Sequence, residues 1–425
     1  MSITRFLGGG GQGEVYLATS DGRDVAVKWY FETTATDAQR QTIEALVTEG
    51  PPSERFLWPL GMLTAPGVKG FGYVMPLRPG NYKSLTDLMA AKISPSFGAL
   101  ITAGFELTKA FRHLHTKGLC YRDISFGNAF FDPVNGNVLV CDNDNVGVNR
   151  ASSGGVLGTP DFMAPEVVRG EADPSTKTDL HSLAVLLFYM LFIGHPLQGR
   201  RIQSIRSWDR PARELLFGKS PVFIFDPDDT TNAAVSLNED PSGESGGMAL
   251  VYWNIYPEFL RETFTKAFTA GLRDPDARVT ELEWMSSLAR LRSAQVKCRC
   301  GAVNFVDPRG MKPTSASATC WQSKCRAPLK LPFRLVVGKE SMFLNGDSKV
   351  FSHHLNGDFD MTKPVAEVAQ HPTDPSIWGL RNLSSHRWVS TFPNGDVKDI
   401  DIGKSARLTA GLRLNFGRAE GEILF

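Results

Sequence analysis

Three observations predict an α+β chain of more than one domain. Residues 1–75 alternate short β-rich runs with turn residues. Much of 84–293 carries apolar residues at spacings of three and four. After Leu331 the chain returns to short alternating runs broken by Asn-Gly pairs. A length of 425 residues fits two or three domains at about 100–200 residues each. Lys+Arg number 46 and Asp+Glu 45, a formal net charge of +1, so charge balance points to neither a nucleic-acid nor a membrane partner. With 42% apolar and 21% charged residues, the composition is that of a folded globular chain rather than a disordered one. The longest apolar run, 183–193, has eleven residues. A membrane span needs about 20, so this run reads as a buried helix. Residues 1–7 carry neither a charged leader nor an apolar signal core, and four of the six cysteines crowd between 298 and 325. Both features predict a cytoplasmic chain with a local metal site rather than a secreted disulfide scaffold.

In the first segment, residues 15–18 and 25–28 read as strands joined by a turn centred on Asp21-Gly22, and 37–47 as a helix. Phe97, Leu100, Ile101, Phe105, Phe111 and Leu114 follow the stripe of an amphipathic helix. Residues 199–250 are rich in Pro, Gly, Asp, Ser and Asn and read as a long insertion, at least partly loop. Helical spacing resumes over 257–270 and 281–291. The paired cysteines follow, and Asn-Gly at 345–346, 356–357 and 394–395 then punctuates a small all-β domain.

Gly8, Gly10 and Gly13 form G-x-G-x-x-G. A dinucleotide fingerprint requires a helix after these glycines. Here Glu14-Val15-Tyr16-Leu17-Ala18 reads as a strand instead, and a turn leads to a second strand ending in Val25-Ala26-Val27-Lys28. A glycine-rich hairpin lets backbone N–H groups approach phosphates without Cβ clashes, and a lysine on the next strand reaches the same phosphates. In this order the segment resembles a protein kinase. The resemblance implies nucleotide contacts from Leu7, Gly8, Gly10, Gly13, Val15, Ala26 and Lys28. It also implies a helix glutamate that holds Lys28, with Glu44 the candidate and Glu49 the alternative. Gly72-Tyr73-Val74-Met75-Pro76-Leu77 then leads into the hinge between two lobes. Met75 abuts the adenine in this reading. Pro76 has no N–H to donate, so the contact with the adenine edge leans on Leu77.

Residues 121–128, Tyr-Arg-Asp-Ile-Ser-Phe-Gly-Asn, resemble the kinase catalytic loop with Tyr in place of the first His. Phosphoryl transfer needs a carboxylate to orient and deprotonate the attacking hydroxyl, and oxygen ligands for Mg²⁺. Asp123 matches the first role and Asn128 the second. Ser125 stands where Ser/Thr kinases carry a lysine, which removes one positive charge from the transition state. Cys141-Asp142-Asn143-Asp144 resembles the turn holding the second metal ligand, Asp142, with Asn143 and Asp144 replacing the usual Phe and Gly. Asp144 adds a ligand or substitutes for Asp142. Asn143 cannot fill an apolar slot without hydrogen-bond partners. Residues 158–166 match the end of an activation segment, with Thr159 placed to contact Asp123. Asp179 matches the residue that holds the catalytic-loop backbone, and Arg278 the partner of Glu166. Arg122 matches the arginine that meets a phosphorylated activation segment. Ser152 and Ser153 are the expected autophosphorylation sites, the competing reading being that Asn143 leaves the enzyme constitutively poised.

Cys298 and Cys300 form C-x-C, and Cys320 and Cys325 form C-x₄-C. Zinc takes four thiolates tetrahedrally, and paired cysteines on two tight turns supply them, so the segment resembles a zinc ribbon with a structural Zn²⁺. Residues 331–425 resemble a forkhead-associated β-sandwich through 378–384 and 408–417. The Ser-x-x-His signature of phosphothreonine reading is absent around Ser352-His353-His354, and a plain interaction or packing module is the other reading.

Together these features resemble the eukaryotic-like Ser/Thr kinases associated with bacterial tellurium-resistance-type operons. The expected architecture is a bilobal protein kinase fold over 1–293 (N-lobe 1–75, hinge 76–83, C-lobe 84–293), a zinc ribbon over 294–330 and a small β-sandwich over 331–425. The resemblance implies ATP, Mg²⁺ and structural Zn²⁺, and a protein substrate phosphorylated on Ser or Thr. It also implies a PP2C-type phosphatase and a von Willebrand A-domain protein as partners in a stress or defence system. The alternative is a pseudokinase scaffold that binds nucleotide and protein partners through its ribbon and β domain. Lys28, Asp123, Asn128 and Asp142 favour the enzyme, whereas Asn143 and Ser125 favour the scaffold.

Overall fold

The computed structural model describes residues 1–149, 158–310 and 319–425. Ser152 and Ser153 lie outside the described residues. The chain divides into two compact units, Met1–Trp253 with Arg261–Trp284, and Asn254–Leu260 with Met285–Phe425. The expected boundary after residue 293 therefore falls later than this division. The physical reason lies in the end of the helix Glu281–Ser293, which makes its contacts within the second unit. Arg290 pairs with Asp307 and lies 4.1 Å above the Phe259 ring, and Arg292 lies 4.8 Å above Phe351.

The first unit opens with an antiparallel sheet of β1 (Ser2–Gly9), β2 (Gly13–Ser20), β3 (Arg23–Tyr30), β4 (Gly61–Ala65) and β5 (Val68–Pro76), in the order β1-β2-β3-β5-β4. The register sets Val15 opposite Lys28 and Ala26 opposite Met75. Helix α1 (Asp37–Glu49) starts where Thr36 accepts from the Gln39 N–H and ends at Gly50, whose φ of 73° suits glycine. Ile43 and Leu46 are its buried residues.

The helical body is built on the helices Phe97–Thr116 and Thr176–Phe192. Ser96 caps the first, and a Ser175/Thr178 capping box starts the second. Most of the run 183–193 lies in the second helix, which is buried continuously from Thr178 to Phe192. A helix surrounded on all sides has no solvated face to keep polar. The insertion is partly loop, as expected, but it is pinned by Asn232. That fully buried side chain donates to the carbonyls of Leu197 (2.9 Å) and Val222 (2.7 Å) and accepts from the Arg201 N–H at 3.1 Å. Arg278 and Glu166 form a two-pronged pair at 2.8 and 2.7 Å, and the guanidinium also reaches the carbonyls of Gly271 and Lys177.

The second unit contains a hairpin, Gln295–Lys297 with Val303–Phe305, and two antiparallel sheets. One sheet orders Glu340–Phe343, Arg334–Val337, Glu420–Leu424, Arg413–Asn415, Trp388–Thr391 and Val397–Ile400. The other orders Lys349–Phe351, Pro364–Gln370, Trp378–Asn382 and Ser405–Arg407. Both sheets contribute to one core, with Leu335, Val368, Leu380, Trp388, Leu414 and Ile423 among its members. Only one of the three Asn-Gly pairs turns a hairpin between adjacent strands: Asn394-Gly395 joins Trp388–Thr391 to Val397–Ile400. Gly357 instead ends the short helix Ser352–Asn356 in a left-handed conformation (φ 68°), an equally good use of glycine that sequence alone does not separate from a hairpin. Among the described residues, no helix is long and apolar enough to cross a membrane.

The Arg278–Glu166 pair yields a stability test. Arg278→Leu leaves a carboxylate uncompensated in a site where only 13% of the Glu166 side chain is exposed. Such a loss costs about 3–5 kcal/mol. Urea unfolding of wild type and variant measures it, and a difference below about 1 kcal/mol would show that Glu166 finds another partner.

Candidate active site

A cleft of about 940 Å³ in the first unit is lined by the loop 8–13, by Val15, Ala26 and Lys28 of β2 and β3, by Met75 and Leu77, and by Asp123 and Asp142. Its size falls in the usual range for a small-molecule site. The three motif glycines have different reasons to be glycine. A Cβ on Gly13 would stand 2.2 Å from the Trp29 carbonyl oxygen, so the close pairing of β2 with β3 demands it. A Cβ on Gly8 or Gly10 would meet no heavy atom of the chain within 4 Å. The room at those two positions opens to the cleft, where backbone can approach a ligand.

Lys28 is 5% exposed, and its ammonium lies 2.8 Å from Asp144 and 3.4 Å from Asp142. Burial opposes its charge, but the two carboxylates outweigh that and hold its pKa above the usual lysine value. Tyr30 donates its hydroxyl to the same Asp144 carboxylate. The Gln39 amide of α1 donates to the Tyr30 hydroxyl (3.1 Å) and to the Asp144 carbonyl (3.3 Å). The expected helix glutamate is thereby corrected. Glu44 is exposed, one residue past the buried Ile43, and so off the stripe 39-43-46 that α1 turns inward. Glu49, the alternative, pairs with Lys117 at 3.0 Å. The metal-ligand reading of Asp144 is corrected as well, because its side chain is fully buried between Lys28 and Tyr30. Asp142, in contrast, lines the cleft with 45% of its side chain exposed. Burial nevertheless pushes its carboxyl up, Lys28 pulls the other way, and Asp144 adds to the rise.

Asn143 is 1% exposed, and its amide donates to the carbonyls of Leu57 (2.9 Å) and Val140 (3.1 Å). The amide N–H₂ of the polar residue in the apolar slot thus has two acceptors, whereas its buried Oδ1 has no hydrogen-bond partner among the described residues. Asn128 donates to the Asp123 carboxylate (3.0 Å) and carbonyl (2.8 Å), and Thr159 donates to the other carboxylate oxygen at 2.8 Å. The loop backbone is held from below. Asp179 accepts the N–H groups of Tyr121 (2.5 Å) and Arg122 (2.9 Å), and Arg122 has the left-handed φ of 74°. The Arg122 guanidinium lies against Gly147, where a Cβ would stand 2.2 Å from it. Tyr121 donates its hydroxyl to the Cys141 carbonyl. Ser125 is 6% exposed, so the lysine position of the motif is filled by a small buried hydroxyl. His115, Tyr30, Gln39 and Gln12 were not singled out by sequence reasoning. The inward stripe of α1 marks Gln39, but nothing local marks His115.

In the second unit the sulfurs of Cys298, Cys300, Cys320 and Cys325 all lie within 4.8 Å of one another. Cys298–Cys325 and Cys300–Cys320 are each 3.7 Å apart. That is too long for a disulfide and close to the edge, about 3.8 Å, of a tetrahedron with metal–sulfur bonds of about 2.3 Å. Farther along, His353 and His354 are each 4% exposed and accept backbone N–H groups from Phe359 and Phe351. Neither imidazole is presented to solvent for reading a ligand.

A family model described as the protein kinase domain matches residues 1–217. The DNA damage-responsive serine/threonine-protein kinase RqkA of Deinococcus radiodurans is 29% identical over 224 residues, 48% of this chain and 31% of the relative. The serine/threonine-protein kinase PknD of Chlamydia pneumoniae is 26% identical over 286 residues, 56% of this chain and 30% of the relative. Protein kinase C delta type of Rattus norvegicus is 36% identical over 99 residues, 22% of this chain and 14% of the relative. The chain spans less than a third of the length of these curated relatives.

The support of Asp179 predicts a pH dependence. His115 lies between Asp179 (3.1 Å) and Glu281. Burial opposes its charge, yet hydrogen bonds to the two carboxylates push it up to about 9. Its unfolded value is about 6.5. The stabilisation is therefore fully present below about pH 6.5 and is lost as the pH rises through about 9, with a size of roughly 3 kcal/mol. Urea unfolding of wild type and His115→Gln is expected to show a gap at pH 6 that closes by pH 10. A constant gap would mean that the ring carries no proton-linked charge.

Proposed function

The chain belongs to the protein kinase domain family, and on that premise we propose that it is an ATP- and Mg²⁺-dependent kinase acting on Ser or Thr hydroxyls of a protein. The observation that carries this reading is the convergence of Lys28, Asp123 and Asp142 on one cleft beneath the glycine loop. Asp123 accepts the hydroxyl proton, and Thr159 and Asn128 orient its carboxylate. The substrate oxygen forms a bond to the γ-phosphorus as the bond to the bridging oxygen breaks, and ADP leaves. Lys28 and the N–H groups of the glycine loop hold the phosphates. Met75 and Leu77 receive the adenine. The oxygen groups of Asp142 and Asn128 fit Mg²⁺, and the burial that penalises the Asp142 charge favours a cation beside it. When bound, Mg²⁺ neutralises charge on the phosphate oxygens.

The four thiols fit a structural Zn²⁺, with no open position, in a ribbon-like module. The β domain, forkhead-associated-like in its paired sheets, serves interaction or packing rather than phosphothreonine reading. A cytoplasmic bacterial stress or defence system, with a PP2C-type phosphatase and a von Willebrand A-domain protein, completes the reading. The Deinococcus relative's description as DNA damage-responsive is in keeping with it. A second reading, a nucleotide-binding scaffold, is favoured by Ser125 at the lysine position.

Radiolabel transfer from ATP separates the two. Asp123→Asn is expected to lower transfer by at least about 100-fold while ATP affinity stays within several-fold, because the carboxylate acts on the hydroxyl rather than on the nucleotide. Equal transfer by wild type and variant would sink the catalytic assignment. The purified protein is further expected to carry one zinc per chain, which Cys298→Ser with Cys325→Ser releases. Metal analysis finding no zinc in protein kept reduced would refute the ribbon.

A further inference from the structure

We propose that Asp144 is the carboxylate that positions Lys28, so that one turn carries both the cleft-facing acid Asp142 and the anchor of the phosphate-binding lysine. The inference rests on the nucleotide-binding reading of the cleft. It assigns to the turn the task that the family resemblance gives to a helix glutamate.

The geometry is that of a built polar cluster. Lys28, Asp144 and Tyr30 are 5%, 2% and 1% exposed. One carboxylate oxygen of Asp144 receives both the Lys28 ammonium at 2.8 Å and the Tyr30 hydroxyl. A buried ion pair keeps a single arrangement only when its remaining polar atoms are satisfied. Gln39 serves that end in part by donating to both the Tyr30 hydroxyl and the Asp144 carbonyl, while the second carboxylate oxygen, Oδ1, is buried without a partner among the described residues. The turn cannot drift from the strand, because Asn143 donates to the carbonyls of Leu57 and Val140. Lys28 thus has one near, buried acid and one more distant acid at 3.4 Å, Asp142, whose exposed edge stays free for the cleft. Gln12 of the glycine loop accepts from the ammonium at 3.4 Å and donates to Asn145 at 3.3 Å, so the loop closes on the same lysine and turn.

This arrangement takes the lysine anchor off α1. A pair between Lys28 and a helix carboxylate would vary with every shift of the helix. The pair with Asp144 joins a strand to a turn that is itself hydrogen-bonded to the chain beside it. Asp144 is a positioning residue: it acts on the nucleotide through Lys28 and does not line the cleft.

The test is calorimetric titration of ATP into the full chain, with Mg²⁺ and with EDTA, alongside steady-state transfer. The variants are Asp144→Asn, Glu44→Gln, Lys28→Met and the double variant Lys28→Met with Asp144→Asn. Asp144→Asn is expected to weaken ATP binding about tenfold under both conditions and to raise KM for ATP in step. Glu44→Gln is expected to stay within about twofold. In the Lys28→Met background, Asp144→Asn is expected to change affinity by less than about twofold, since its effect runs through the missing ammonium. A loss seen only with Mg²⁺ would make Asp144 a metal ligand and overturn the proposal. An undiminished loss in the Lys28→Met background, or a Glu44→Gln defect as large as that of Lys28→Met, would overturn it too. If Asp144→Asn does not fold, Tyr30→Phe takes its place. It removes one donor to the carboxylate, with an expected loss of about threefold that vanishes in the Lys28→Met background, and unchanged affinity overturns the proposal. Affinities are read without turnover. A wild type that binds ATP yet transfers nothing therefore counts against the kinase reading alone, and one that binds no ATP overturns both.

Discussion

The buried carboxylate of Asp179 is the constraint on which the candidate site depends. It accepts two consecutive backbone N–H groups, those of Tyr121 and Arg122, and so holds Arg122 at a positive φ that a non-glycine residue does not adopt freely. The chain reverses there and delivers Asp123 to the cleft. Asp179 is itself held by His115 at the end of the helix Phe97–Thr116, and His115 by Glu281. Three helices thus spend polar groups on one short loop. Strain at a functional loop persists only where the surroundings over-determine it, and here they do.

The other half of the cleft follows a different logic. Family members with Phe in the turn seat it by apolar packing. Asn143 occupies the same place, and its amide N–H₂ donates to two carbonyls. Packing tolerates sliding, whereas two directed hydrogen bonds do not. The substitution therefore trades a repackable contact for a fixed one. The adjacent Asp144 can then be buried against Lys28, because its backbone no longer has freedom to leave.

Within the second unit, two local features use cysteine and histidine in opposite ways. The four cysteines bring their sulfurs within 4.8 Å of one another, a grouping that could hold a metal ion. The histidines at 353 and 354 point inward and accept backbone N–H groups. Equally suggestive residue types thus differ in whether the fold gathers them to one point or turns each to its own backbone partner.

Much of the fold was legible from local pattern. The G-x-G-x-x-G hairpin, the interval from Asp123 through Asn128 to Asp142, the striped helix after residue 96 and the eleven-residue apolar run follow from spacing and turn chemistry, which belong to neighbours along the chain. The thiol cluster was legible for the same reason, since paired cysteines on turns can be counted. The partner of Lys28 was not legible. Glu44 and Asp144 both follow Lys28 in sequence, one close and one far, and a string of letters does not record which carboxylate the sheet and helix bring within reach. The helix turns Gln39 inward and Glu44 outward, while the turn after Val140 carries Asp144 beneath β3. His115 and Asn232 escaped notice for the same cause, because their partners lie up to 166 and up to 35 residues away. The sequence by itself determined which chemical groups exist and which elements carry them. Only the tertiary structure decided which groups meet, because a buried charge takes the partner that packing places beside it.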